Sequence, residues 1–157
     1  MGVAGCGKST VGAALAERMA ARYIDGDDLH PAANIAKMSR GQPLCDADRA
    51  PWLDLVGKAL RDHNGVCLIG CSALKRIYRD RIRLAAGEAV GFLHLAGGRE
   101  VIEARMSQRE GHFMPVALLD SQFAALEPLE DDEDGLAVDI DQSFEAVVAD
   151  LIARITR

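Results

Sequence analysis

The first ten residues, MGVAGCGKST, carry the feature that most constrains the fold: Gly2 to Ser9 spell G-x-x-x-x-G-K-S. Glycines at positions 2, 5 and 7 let backbone N–H groups curl around an anion without side-chain clashes. A helix beginning at Lys8 would add its unpaired N–H groups and the positive end of its dipole. In such a loop the lysine reaches the β- and γ-phosphates and the serine hydroxyl ligates Mg²⁺. Gly2, Val3, Ala4, Gly5, Cys6, Gly7, Lys8, Ser9 and Thr10 are therefore the expected ATP contacts, with Ser9 also a metal ligand. A loop of this kind leaves the end of a buried strand, yet Met1 alone stands before Gly2. The expectation is a gap inside the sheet, with a natural chain that begins several residues upstream in an apolar, β-branched stretch. The alternative is that another segment or subunit fills the slot.

Downstream, periodicity alternates. Lys8 to Arg22 reads as a helix, with Val11, Leu15 and Met19 on one stripe. Tyr23 to Asp25 is a short strand. Pro31 to Ser39 is a helix with Pro at its start, and Asp46 is read as the N-cap of a longer one containing Trp52, Leu55 and Val56. Gly65 to Gly70 is an apolar run suited to a strand buried on both faces. A helix from Ser72, a strand at Val90 to Leu95 and helices at Arg99 to Arg109 and Pro115 to Leu126 follow. An acidic loop (Glu127 to Gly135), a strand (LAVDI) and a closing helix from Phe144 complete the chain. Alternation of strands and helices predicts one α/β domain over residues 1–157 with a mostly parallel sheet.

A net charge of −6 argues against a general nucleic-acid binder. No apolar run is long enough to span a bilayer, and the glycine-rich start is not a signal peptide. The cysteines at 6, 45, 67 and 71 form no C-x-x-C pair. Scattered thiols of this kind suit a reducing cytoplasm.

Phosphoryl chemistry also needs carboxylates. The buried strand ends Ile69-Gly70-Cys71, without the acid that often closes it, so attention shifts to IDGDDLHP. There Asp25 could orient Mg²⁺ through water, and Asp27 could accept a substrate hydroxyl's proton. Lys75, Arg79 and Arg83 recur at i, i+4 and i+8, so one helix face would carry three cations. Arg105 and Arg109 precede EGHFMP, where Gly111 offers a hinge, and on a closing flap they could neutralise the transferring phosphoryl group. His30 and His112 lie beside these two loops as possible substrate contacts. The four histidines show no metal-ligand spacing.

Taken together, GVAGCGKST, DGDDLHP, NIAKMSRGQPLCDADRAPWL, CSALKRIYRDRIR, GHFM and VDID resemble the gluconokinase family across essentially the whole chain. The resemblance implies a P-loop kinase fold like that of nucleoside monophosphate and shikimate kinases. It implies a substrate-binding segment at about 27–64 and a lid at about 105–116. It also implies the transfer of phosphate from ATP to D-gluconate with Mg²⁺, and frequent homodimers. Lys8, Asp25, Asp27, Arg105 and Arg109 would then serve catalysis, with Ser9 and Asp25 at the metal. Asp27, His30, Ser72, Lys75, Arg79, Arg83 and His112 would line the gluconate pocket. A carboxylate fits an arginine fork through two parallel hydrogen bonds. The rival readings are a same-fold kinase of another small acid or nucleotide, and a nucleotide-binding module without catalysis.

Overall fold

The computed structural model describes residues 1–107 and 116–156. Four strands alternate with helices: α1 (Lys8–Arg18), β1 (Arg22–Asp25), a 3₁₀ turn (Gly26–Leu29), α2 (Ala32–Ser39), α3 (Asp46–Arg61) and β2 (Cys67–Gly70). Then come α4 (Arg76–Ala86), β3 (Phe92–Ala96), α5 (Arg99–Ser107), α6 (Val116–Ala125), β4 (Gly135–Asp139) and α7 (Phe144–Ile155).

Among the described residues all strand pairing is parallel. β1 runs beside β2 with Tyr23 opposite Leu68, and β3 beside β4 with Leu93 opposite Leu136. The sheet is divided into these two halves. Among the described residues, backbone hydrogen bonds cross from one half to the other at Met1 and Gly2. The Gly2 amide donates to the Ser72 carbonyl just past β2, while Leu95 N–H donates to Met1 O on β3. The Met1 ammonium donates to Leu93 O. Below this bridge, a cavity of about 340 Å³ separates β2 from β3, lined by Val11, Leu15, Val56, Ile69, Leu93 and Leu151.

Two apolar clusters hold the layers. One joins Val3, Cys6, Val11 and Leu15 to Val138, Ile140, Val147 and Leu151, so the phosphate loop and α1 share a core with β4 and α7. The other packs Trp52, Leu53 and Val56 of α3 on Tyr78 and Ile82 of α4. Gly57 makes that crossing close: a Cβ there would sit 2.5 Å from the Ile82 carbonyl oxygen.

Three boundaries differ from the periodicity. α1 stops at Arg18 because Ala20 turns left-handed (φ 50°), releasing the chain into β1. α3 is capped by Cys45 rather than Asp46, since the Asp48 carboxylate reaches back to the Cys45 N–H at 2.8 Å. α4 begins at Arg76 rather than Ser72. Ala73 is left-handed (φ 44°) and Lys75 is extended, which removes Lys75 from the helix face it was expected to share with Arg79 and Arg83.

Candidate active site

The phosphate loop turns at Gly7, whose left-handed backbone (φ 97°) suits glycine and starts α1. Lys8 folds over the loop and donates its ammonium to Gly2 O at 3.0 Å and Val3 O at 3.1 Å. Gln122 of α6 accepts from the Ala4 N–H at 2.6 Å. Across the loop, a Cβ on Gly7 would lie 3.7 Å from the Arg105 guanidinium, which itself donates to Ile140 O. A cation therefore stands beside the loop, at the turn after β4.

The structure brings Ser9 and Asp25 together, with the hydroxyl 3.2 Å from Asp25 Oδ2. Two hard oxygens at the mouth of a phosphate loop fit Mg²⁺. The other Asp25 oxygen accepts from the Asp27 N–H at 3.0 Å, capping the 3₁₀ turn. Trp52 Nε1–H donates to Gly26 O at 2.7 Å, pinning the backbone between the two aspartates. Gly26 is required there, since a Cβ would meet the Gly70 carbonyl oxygen at 2.5 Å. The Asp27 side chain is 85% exposed and open to a ligand.

His30 lies flat against Trp52, ring centroids 4.1 Å apart and planes 16° from parallel. Its Nε2 is 4.0 Å from Asp27 Oδ1. Burial pushes its pKa below the usual histidine value, and the positive charge of Arg49 adds to that against the pull of Asp27. Arg49 also stands 5.8 Å from the centre of the Tyr78 ring, and Lys75 stands 5.4 Å from the same centre. The Tyr78 hydroxyl donates to Asp46, and the Lys75 ammonium meets both Asp46 oxygens at 3.0 Å. These partners hold the Asp46 carboxyl below its ordinary range, the tyrosine hydroxyl first and the lysine next. Ser72 sits two residues past β2, its carbonyl engaged by Gly2.

The arginine face of α4 is a correction. Arg79 is fully buried, its guanidinium held by both Glu133 oxygens at 2.6–2.7 Å and by the carbonyls of Ala73, Leu74, Glu127 and Pro128. Arg83 meets Glu133 at 3.0 Å and covers the Phe92 ring. Arg76 grips Glu130 and Asp132. This face clamps the acidic loop, so Arg79 has no donor left for a substrate carboxylate. Arg109, His112 and most of the expected lid fall outside the described residues.

Sequence reading missed Arg49, Asn34 and Trp52 as site residues. Arg49 and Trp52 are three apart on α3 and so share a face; once Trp52 is placed on Gly26, Arg49 follows.

Comparison with known proteins shows the family. The family model described as "Shikimate kinase" matches residues 4–156. The thermosensitive gluconokinase of Escherichia coli K12 is 51% identical over 148 residues, covering 92% of this chain and 79% of that protein. The thermoresistant gluconokinase of the same organism is 47% identical over 156 residues, covering 97% and 89%. The crystal structure of a gluconokinase from Sinorhizobium meliloti 1021 superposes with a TM-score of 0.88 at 46% identity, covering 100% of this chain and 89% of the other.

Proposed function

The chain belongs to the shikimate kinase family, and with gluconokinases as near relatives we propose the reaction of its site: ATP and D-gluconate give ADP and 6-phospho-D-gluconate. The observation that carries this reading is the meeting of donor and acceptor halves at Ser9–Asp25, 3.2 Å apart. On one side lies a phosphate cradle; on the other, an exposed carboxylate.

Gly2 to Thr10 would hold the triphosphate, with the Lys8 ammonium leaving its two carbonyls for the phosphates. Ser9 and Asp25 would hold Mg²⁺, which supplies charge neutralisation between the phosphates when bound. Asp27 would take the proton of the gluconate 6-hydroxyl as its oxygen bonds to the γ-phosphorus and the bond from that phosphorus to the β-phosphate oxygen breaks. Arg105, beside Gly7, is placed to balance the charge that develops there. For the gluconate carboxylate the best-supported cation is Arg49, next to His30 and Tyr78, with Lys75 and Ser72 at the rim.

Further support is general. Among the described residues no helix is long and apolar enough to cross a membrane. The free thiols and the need for ATP favour the cytoplasm. Ile77 and Leu84 on the outer face of α4 are 57% and 83% exposed, an apolar strip that suits pairing of two chains as a homodimer. A coupled ADP-release assay with gluconate, shikimate, other sugar acids and nucleoside monophosphates tests the substrate. Turnover restricted to an acid other than gluconate would overturn it.

A further inference from the structure

Asn34 of α2 is a buried amide, 5% exposed, placed between two acceptors. Its Nδ2 lies 2.9 Å from the Asp48 carbonyl oxygen and 3.3 Å from His30 Nδ1. A carbonyl can only accept, so the Asn34 atom facing it must be the NH₂ group. The second hydrogen of that NH₂ then points at His30 Nδ1, which must present a lone pair. The imidazole proton is thereby forced onto Nε2, the nitrogen that faces Asp27 Oδ1.

We infer that Asn34 holds His30 as the neutral, Nε2-protonated imidazole, and that this N–H orients the Asp27 carboxylate toward the acceptor hydroxyl. The stack on Trp52 fixes the ring plane. The imidazole is the rigid member of the pair, since its side chain is 7% exposed against 85% for Asp27. The 4.0 Å separation would need to shorten to hydrogen-bond length by rotation of the exposed Asp27 side chain, as in a site that tightens when loaded. One carboxylate oxygen then accepts from His30, leaving the other for the substrate proton. Neutrality matters, because an imidazolium would form an ion pair with Asp27 and weaken it as a base. The groups facing the ring enforce neutrality. Asp27 alone favours the cation, while burial and Arg49 disfavour it, and the Asp48 carboxylate is taken up by Lys37 at 2.5 Å and by the Cys45 N–H. His30 and Asn34 are thus positioning residues that act through Asp27, a role that rests on the kinase reading above.

The test begins with the ligand-free protein, labelled with ¹⁵N in its histidines. Two-bond ¹⁵N–¹H correlation should show His30 neutral at neutral pH with its proton on Nε2, titrating below the ordinary histidine value. Asn34→Asp supplies an acceptor at Nδ1, so the proton should move there or the ring should become charged at neutral pH. His30→Phe keeps the stack on Trp52 but lacks the N–H. Its kcat with gluconate should fall roughly 10- to 100-fold, the range for losing an outer partner of a functional group, with KM for ATP unchanged. His30→Gln, which restores an amide donor, should recover part of the loss. A wild-type His30 protonated on Nδ1, or charged at neutral pH, overturns the inference whatever the substrate. So does His30→Phe with undiminished kcat. If gluconate fails as a substrate while the resonance shows the Nε2 form, the substrate assignment falls and the Asn34–His30 lock stands.

Discussion

Replacing Arg79 with alanine separates two roles for the same residue. As a carboxylate-binding arginine it would raise KM for gluconate and leave stability alone. In the structure it is wholly buried and paired with a glutamate whose side chain is also wholly buried. Arg79→Ala leaves the Glu133 carboxylate with Arg83 at 3.0 Å as its remaining cation. Breaking a buried pair from one side costs about 3–5 kcal/mol when no other cation remains, so about 3 kcal/mol is the expectation here. All the partners of Glu133 together, Arg79 first and the Glu130 N–H and Arg83 after it, give an upper figure of similar size. Bonding to Arg79, first among several causes, lowers the Glu133 pKa from 4.5 to about 2. At about 1.36 kcal/mol per pKa unit that is roughly 3 kcal/mol. A carboxyl held below its unfolded value stabilises the fold above that value, and loses this as pH falls through the folded one. The contribution should therefore be complete above pH 4.5 and vanish toward pH 2. Urea denaturation of Arg79→Ala at neutral pH should show a loss of about 3 kcal/mol from a total of about 5–15. The variant that remains folded should keep its KM for gluconate. Comparing wild type with Glu133→Gln between pH 5 and 2.5 should isolate the acid-labile part. Unchanged stability together with a raised KM for gluconate would refute the clamp and return Arg79 to the substrate pocket.

Other outcomes follow from the site. Lys8→Ala should cut turnover about 10²- to 10³-fold, the cost of losing one donor to developing charge, with circular dichroism unaltered. Asp27→Asn should lower kcat by about 10²-fold or more and leave KM for gluconate within a few-fold, read by steady-state ADP release. Arg49→Ala should raise KM for gluconate roughly 10- to 100-fold, as expected for one charge-assisted hydrogen bond, with KM for ATP unaffected. His94 is buried on β3 and its pKa is lowered from 6.5 to about 4, chiefly by that burial. The unfolded chain therefore takes up a proton that the folded one refuses, and stability should fall between pH 6.5 and 4. In His94→Phe that slope should disappear from urea titrations.

Most of the architecture was legible because its signals are local. Buried parallel strands are apolar runs, and the glycines and Lys8-Ser9 mark the phosphate loop without help from distant residues. The placement of Asp25 beside Ser9 was legible for the same reason, following a short strand at a fixed offset. The cations were not. Lys75, Arg79 and Arg83 have perfect helical spacing, but Ala73 takes a left-handed backbone that delays α4 past Lys75. The partner of Arg79 lies 54 residues away, in a loop whose acidity reads equally well as solvated surface. Asn34 looked like an ordinary helix residue because its meaning depends on a carbonyl of α3. Long-range partners carry the distinction between a binding arginine and a structural one.

The divided sheet has a consequence for how the reaction coordinate is set. Asp25 and the residues after it hang from the β1–β2 half, whereas Arg105 donates to the turn that leaves β4. Met1 and Gly2 form the seam between the halves, and the phosphate loop grows directly from it. On the proposed mechanism, the groups that would hold the attacking oxygen and those that would balance the leaving charge therefore hang from different halves of the sheet. A misplacement of about 1 Å can cost on the order of a hundredfold in rate. On the same mechanism, a substitution that shifts β1–β2 against β3–β4 should therefore slow phosphoryl transfer without altering a residue that meets gluconate.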